Sequence, residues 1–247
     1  MLRWACKIGR VDILLETSLL STYLASPRIG HLEQFFHIFG YLKDSSKRKL
    51  GFDTGHPKIN INRCHRFDWQ DFYKGVKEAI PPNMHKPRGN SVSTHCSVDA
   101  NHAGNMVTRR SQTRILIFVN KYPIIAFSKR QNTVVTSMFG SKFTALKNSV
   151  ELVEALRYKL RMFGVPIEGN INVFCDNESV YKNVSTPESV LKKKHHSIAY
   201  HRCREYVAAL AICIAKHPTA TNLSDLFTNI LPQFFREKLL DWFILSQ

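Results

Sequence analysis

The chain has 247 residues, 44% of them hydrophobic, with 35 Lys and Arg against 19 Asp and Glu and a formal charge of +16. This composition excludes wholesale disorder and suits one large domain or two small ones. The charge points to polyanionic partners, nucleic acid before a membrane surface.

Six cysteines, Cys6, Cys64, Cys96, Cys175, Cys203 and Cys213, are scattered without a CxxC pair. That is the usage of reduced, buried thiols, and it predicts an intracellular protein of the cytoplasm or nucleus. The longest apolar run, 206–215, is about half a membrane span, so neither a transmembrane helix nor a membrane partner is expected. The N-terminus lacks a signal-peptide core and reads as a helix that begins abruptly, as if inside a larger domain.

In chain order, the spacing predicts two helices first. Residues 11–25 are apolar at Ile13, Leu14, Leu20 and Leu24, and Pro27 breaks the pattern. Residues 30–43 carry Leu32, Phe35, Phe36, Phe39 and Leu42 at spacings of three and four. This stripe reads as core before it reads as a platform for stacking bases. The run KDSSKRK at 43–49 is a solvated basic turn. Residues 53–93 hold Pro57, Gly75, Pro81, Pro82, Pro87 and Gly89 and read as a partly ordered linker with one short helix at 68–79. Cys64-His65 and His95-Cys96 match no zinc-finger spacing.

From residue 94 the pattern changes. Strands are predicted at 94–101, 115–120 and 124–128, the last two joined by a turn at Lys121, Tyr122 and Pro123. A long helix at 137–163 has an apolar stripe from Phe139 to Phe163 and stops at Gly164. Residues 171–175 alternate as a strand, Asn177 is a candidate N-cap, and a helix follows. A helix at 197–207, an apolar run at 208–215 read as a fifth strand, and an amphipathic helix at 233–245 complete the chain. The class is α/β, a mixed five-stranded sheet with flanking helices. The division read from the sequence is a helical unit at 1–52, a linker at 53–93 and the sheet domain at 94–247.

Asp99, Asp176 and Asp225 each fall at a strand end or a helix start. Three such carboxylates brought together are oxygen ligands for Mg²⁺, and a metal pair about 3.5–4 Å apart is a usual device of phosphodiester hydrolysis. Each has a plainer alternative: Asp99 in a turn, Asp176 as a helix cap, Asp225 in a capping-box variant after Asn222. The segment 192–204 carries Lys192, Lys193, Lys194, His196, His201, Arg202 and Arg204 around Tyr200. It suits phosphate contact and base stacking. A solvated basic helix face is the equal alternative.

The motifs VDANHAG (98–104), TRRSQT (108–113), FSKRQN (127–132), TSMFGSKFTAL (136–146), EALRYKLRMFGVP (154–166), VFCDNESVYKN (173–183), KKHHSIAYHRCRE (193–205) and NLSDLFTNILP (222–232) follow one another in order. Together they resemble the ribonuclease H domain of copia-type retrotransposon polyproteins. Residues 10–43 resemble the tail of the same family's reverse transcriptase. The resemblance implies a ribonuclease H fold preceded by a small helical reverse transcriptase tail, cutting the RNA strand of an RNA–DNA hybrid with two Mg²⁺. It implies an upstream reverse transcriptase domain as partner and no small-molecule substrate. It places the family's catalytic aspartates on Asp99, Asp176 and Asp225, and the 192–204 segment near the active site.

The family's catalytic Glu stands in S-x-F-G-S-E-F; here the motif is SMFGSKF and the position is Lys142. A lysine brings positive charge to where two dications belong, so metal-dependent cleavage is expected to be lost or severely weakened. An ammonium and a carboxylate 4 Å apart attract by roughly 4 kcal/mol at an effective dielectric near 20, so Lys142 is expected to pair with Asp99 or Asp176, the alternative being that its long stem carries the ammonium into water. Asn229 also replaces the family's usual Lys. No Y-x-D-D motif is present, so DNA synthesis is not expected. Two other readings stand beside a damaged nuclease: a working nuclease using three Asp, and a catalytically silent basic domain that holds the hybrid. Apolar helix faces of residues 1–50 are expected to be left exposed.

Overall fold

The computed structural model describes residues 1–58, 67–191, 194–216, 223, 233–241 and 244–245. Its elements are, in order, α1 (Leu2–Ile8), α2 (Leu14–Leu20), α3 (Ile29–Asp44), β1 (Lys49–Leu50), β2 (Thr94–Asn101), β3 (Gln112–Val119), β4 (Tyr122–Arg130), α4 (Met138–Met162), β5 (Ile171–Cys175), α5 (Glu178–Ser185), α6 (Ser197–Ala208), β6 (Ile212–Lys216), α7 (Gln233–Leu240) and β7 (Ile244–Leu245). The main sheet has five strands in the order β4-β3-β2-β5-β6. β2, β3 and β4 form an antiparallel meander, and β5 and β6 add in parallel beside β2. This is the mixed five-stranded sheet the sequence predicts.

β3 begins three residues earlier than the apolar pattern indicates. Gln112, Thr113 and Arg114 are polar, yet they pair with Asn101, Ala100 and Asp99 and are 3%, 1% and 0% exposed. Pro123 is tolerated because β4 is an edge strand, and the register shifts opposite it, between Ile117 and Phe118.

One sheet face carries the main core. Cys96, Val98, Ile115 and Ile117 meet Phe143, Leu146, Val150 and Val153 of α4, with Tyr200 and Cys203 of α6 beyond. The other face is closed by the ends of the chain. Leu116 and Phe118 pack with Val11, Leu240 and Ile244. Ser18 of α2 donates to the Ser128 carbonyl at 2.9 Å, and Gln112 Nε2 donates to Ser18 Oγ at 2.7 Å. β1 pairs antiparallel with β7. The helical N-terminal residues therefore form a layer of the fold.

The helix predicted at 11–25 is present as α2 flanked by 3-10 turns at Val11–Ile13 and Ser21–Tyr23, and α1, which the spacing did not predict, precedes it. The aromatic stripe of α3 is not core. Ile38 is buried, but Leu32, Phe36 and Phe39 are exposed, as expected for an apolar helix face left open.

Residues 67–93 contain no helix, contrary to the expectation for 68–79; Gly75, at φ 74°, breaks the helical backbone there. The stretch is nevertheless fastened down. Trp69 is buried, and Glu78 accepts from Arg157 and Arg161, both on α4. The four cysteines Cys6, Cys96, Cys175 and Cys203 are free and buried, as expected, but Cys213 is disulfide-bonded, which the scattered spacing did not predict. His95 and Cys96 face opposite sides of β2, His95 stacked on Phe118 and Cys96 in the main core. No helix among the described residues is long and apolar enough to cross a membrane.

Candidate active site

The register of the parallel pair places two carboxylates together. Ser97 of β2 lies opposite Phe174 of β5. Two residues further along each chain come Asp99 and Asp176, one near the end of its strand and the other just past it. Asn177, not Asp176, caps α5, its Oδ1 accepting the Val180 amide at 3.0 Å. Asp176 is thereby left available.

The third member arrives on α4. Ser137 caps that helix by accepting the Gly140 amide at 3.2 Å. Gly140 is a close-approach position: a Cβ there would stand 2.3 Å from Val135 Cγ1 and 2.8 Å from His196 Nε2. The first turns of α4 are thus seated tightly, and Lys142 lies on them. Its ammonium donates to Asp176 Oδ2 and lies 3.2 Å from Asp99 Oδ1, at ion-pair distance though without hydrogen-bond geometry. The three side chains are 14%, 8% and 12% exposed for Lys142, Asp99 and Asp176. Burial opposes the charge on Lys142, but the two carboxylates outweigh it and raise the ammonium pKa above its ordinary value. Lys142 therefore stays protonated and fixed between two acids.

Arg114, the cross-strand neighbour of Asp99, is fully buried. An arginine inside the apolar run QTRILIFV is an anomaly visible in the sequence.

These residues do not fit a divalent cation as they stand. The position between the carboxylates is taken by an ammonium, which repels a metal. Among the described residues no group of three or more His, Cys, Asp or Glu is gathered to hold one. Asp225 and Asn229 lie outside the described residues.

The basic segment is divided between surface and interior: Lys194 and His201 are exposed, Arg202 is partly exposed, and His196 and Arg204 are buried. Lys192 and Lys193 lie outside the described residues, and Lys194 is exposed. His196 is 8% exposed and packs against Phe139 and Phe143. His201 shares a hydrogen bond with the Tyr73 hydroxyl at 2.7 Å, and Arg202 pairs with Glu154 at 2.9 Å and lies over Tyr206.

Arg204 is 2% exposed. It donates to the carbonyls of Asn183 at 3.1 Å, Thr186 at 3.0 Å and Pro187 at 2.5 Å, and its guanidinium lies over Trp69 and Tyr200. It satisfies carbonyls at the C-terminal end of α5. His196 and Arg204, expected to contact nucleic acid, are interior packing residues. A count of charges cannot separate the inner face of α6 from its outer face.

No family model matches the chain. Retrovirus-related Pol polyproteins from transposons RE2 and RE1 of Arabidopsis thaliana are 25% and 26% identical over 144 residues. Each match covers 58% of this chain and 10% of the polyprotein, so the chain corresponds to about a tenth of those relatives. Among solved structures, the N-terminal RNase H domain of a Mycobacterium tuberculosis protein superposes with a TM-score of 0.41 at 13% identity, covering 61% of this chain and 98% of that one. An RNase H1 from compost, LC11, solved in complex with an RNA/DNA hybrid, gives 0.41 at 13% identity over 53% of this chain and 88% of that one. In sequence the chain is similar to retrovirus-related Pol polyproteins of transposons, and in architecture it is a mixed five-stranded sheet with flanking helices.

Proposed function

We propose that the chain is the ribonuclease H part, with a reverse transcriptase tail, of a copia-type retrotransposon Pol polyprotein, and that it binds RNA–DNA hybrid without cutting it effectively. The observation that carries this reading is the Lys142 ammonium held between Asp99 and Asp176. In the family's chemistry two Mg²⁺ ions, bound by these aspartates, a Glu and a further Asp, supply charge stabilisation for phosphodiester hydrolysis. Here the Glu position carries the opposite charge. The lysine neutralises the carboxylates from within the protein and removes the attraction that gathers the metals.

Binding does not need that site. The formal charge of +16 supplies a sequence-independent attraction for phosphates. Lys194, just ahead of α6, is an exposed cation. The division into 1–52, 53–93 and 94–247 is retained as the polyprotein's own, with the open apolar face of α3 as the surface that meets an upstream reverse transcriptase domain.

The test is binding and cleavage of a labelled RNA–DNA hybrid in Mg²⁺ over a range of salt. The reading predicts binding that falls steeply with salt and no cut RNA. Efficient cleavage, or no binding at low salt, contradicts it.

A further inference from the structure

The edge strand β4 and one side of α4 border a pocket of about 420 Å³, within the roughly 300–1,000 Å³ of small-molecule sites. β4 supplies Phe127, Lys129 and Arg130, the turn after it Gln131, and α4 Asn148 and Leu152. No member of the Asp99–Lys142–Asp176 cluster lines it.

Gln131 is 5% exposed, and its position is fixed by hydrogen bonds. Nε2 donates to Thr113 Oγ1 at 2.9 Å and to the Ser141 carbonyl at 2.9 Å. The backbone amide donates to the Ser111 carbonyl at 2.8 Å. The Ser141 carbonyl can only accept, which sets the amide group one way round. Oε1 is thereby left buried with no hydrogen-bond partner, on a residue that lines the pocket. Buried acceptors are nearly all paired, so an unpaired one marks a place for a donor.

The charge around that acceptor is unbalanced. Lys129 is exposed and Arg130 half-buried, and neither has an ion-pair partner among the described residues. Glu151, the one acid in the lining, is already paired with Lys147 at 2.5 Å. Asn148 adds an amide that both donates and accepts. Phe127 and Leu152 are half-buried apolar side chains packed against the main core. The pocket thus combines two free cations, an unmet acceptor and an aromatic wall. An anionic group with a hydrogen-bond donor on a flat ring matches all three, and a nucleoside monophosphate carries them in its phosphate and its base.

We propose that this pocket is a second ligand site, which takes a nucleoside monophosphate. Lys129 and Arg130 hold the phosphate, Phe127 faces the base, and a base N–H donates to Gln131 Oε1. The site does not depend on hybrid binding. The nucleotide is either free or the 5′-phosphorylated end of a strand, since both present the same groups.

The experiment is isothermal titration calorimetry of the whole chain with the ribonucleoside 5′-monophosphates and with inorganic phosphate. At least one monophosphate is predicted to bind roughly tenfold or more tightly than inorganic phosphate, because the base contributes. Lys129→Gln and Asn148→Leu are each predicted to weaken that binding roughly tenfold. Lys74→Gln, at an exposed lysine outside the lining, is predicted to leave it unchanged. A thermal melt of each variant checks that it is folded. A 5′-phosphorylated dinucleotide that binds as tightly as the monophosphate supports the site with a strand end as its ligand, and one that binds roughly tenfold more weakly supports it with the free nucleotide. Equal binding of inorganic phosphate and every monophosphate overturns the proposal. Equal losses in Lys129→Gln and Lys74→Gln also overturn it, because they identify a diffuse attraction by the formal charge of +16. Hybrid binding without binding of any monophosphate overturns the pocket and leaves the proposed function standing.

Discussion

Lys142 Nζ lies 3.2 Å from Asp99 Oδ1, the ammonium reaching from the first turns of α4 to a strand on which it has no sequence neighbour. The same ammonium donates to Asp176, so one cation joins α4, β2 and the end of β5. It is a stabilising contact as well as an obstacle to metal. Lys142→Gln leaves two largely buried carboxylates facing each other. The expected loss is about 1–3 kcal/mol, below the range for a fully buried pair because some solvent reaches all three groups. Urea unfolding measures it. A variant as stable as the parent contradicts the account. Millimolar Mg²⁺ is predicted to restore stability to Lys142→Gln and not to the parent, by binding only the folded form with vacant carboxylates.

Arg204 is the second test. Its guanidinium is fixed by carbonyl acceptors on one side and by Trp69 and Tyr200 on the other. A lysine lacks the planar fork needed to reach those acceptors together. Arg204→Lys is expected to lose about 2–4 kcal/mol of stability. Lys194→Ala, at an exposed position, is expected to change stability by less than about 0.5 kcal/mol and to weaken hybrid binding. The opposite pattern, with Arg204 silent in stability and dominant in binding, restores the nucleic-acid role first assigned to it.

Acid stability follows from two groups. Burial lowers the His95 pKa from 6.5 to about 4. Below pH 6.5 the unfolded chain takes up a proton that the folded chain refuses, so stability falls as pH drops from 6.5 towards 4. Burial raises the pKa of Glu78, but the hydrogen bonds and charges of Arg161 and Arg157 outweigh it and bring it from 4.5 down to about 2. Its contribution is complete above pH 4.5 and is lost on the way down to 2. Melting temperature against pH is predicted to decline in both windows. His95→Phe removes the first decline and Glu78→Gln the second. A melting temperature that does not change from pH 6.5 to 4 in the parent contradicts the placement of His95.

The parts of the fold legible in the sequence were those governed by periodicity. Phe143, Leu146, Val150, Val153 and Leu156 of the predicted stripe, and Ile171, Val173 and Cys175, are buried at the spacing of one face, so α4 and β5 fall close to where the pattern puts them, although Phe163 at the end of the stripe is exposed. Asn177 was legible as a cap because its role is local. What was not legible depends on residues distant in sequence. Gln112, Thr113 and Arg114 join β3 only because β2 lies opposite. Phe36 and Phe39 read as core, yet the chain supplies no cover for that face among the described residues. The charge of Arg204 gave no sign of the aromatic cage that Trp69 closes from more than a hundred positions away. Lys142 was legible as a departure from a motif, and so was its pairing with Asp99 or Asp176; that it reaches both at once depends on the β2–β5 register.

The most direct measurement is cleavage of a labelled RNA–DNA hybrid in Mg²⁺ by the protein as it stands and by Lys142→Glu. The account predicts that the unaltered chain binds the hybrid and leaves the RNA intact, while Lys142→Glu takes up Mg²⁺ and cuts it. Efficient cutting by the unaltered chain contradicts the claim that Lys142 closes the site.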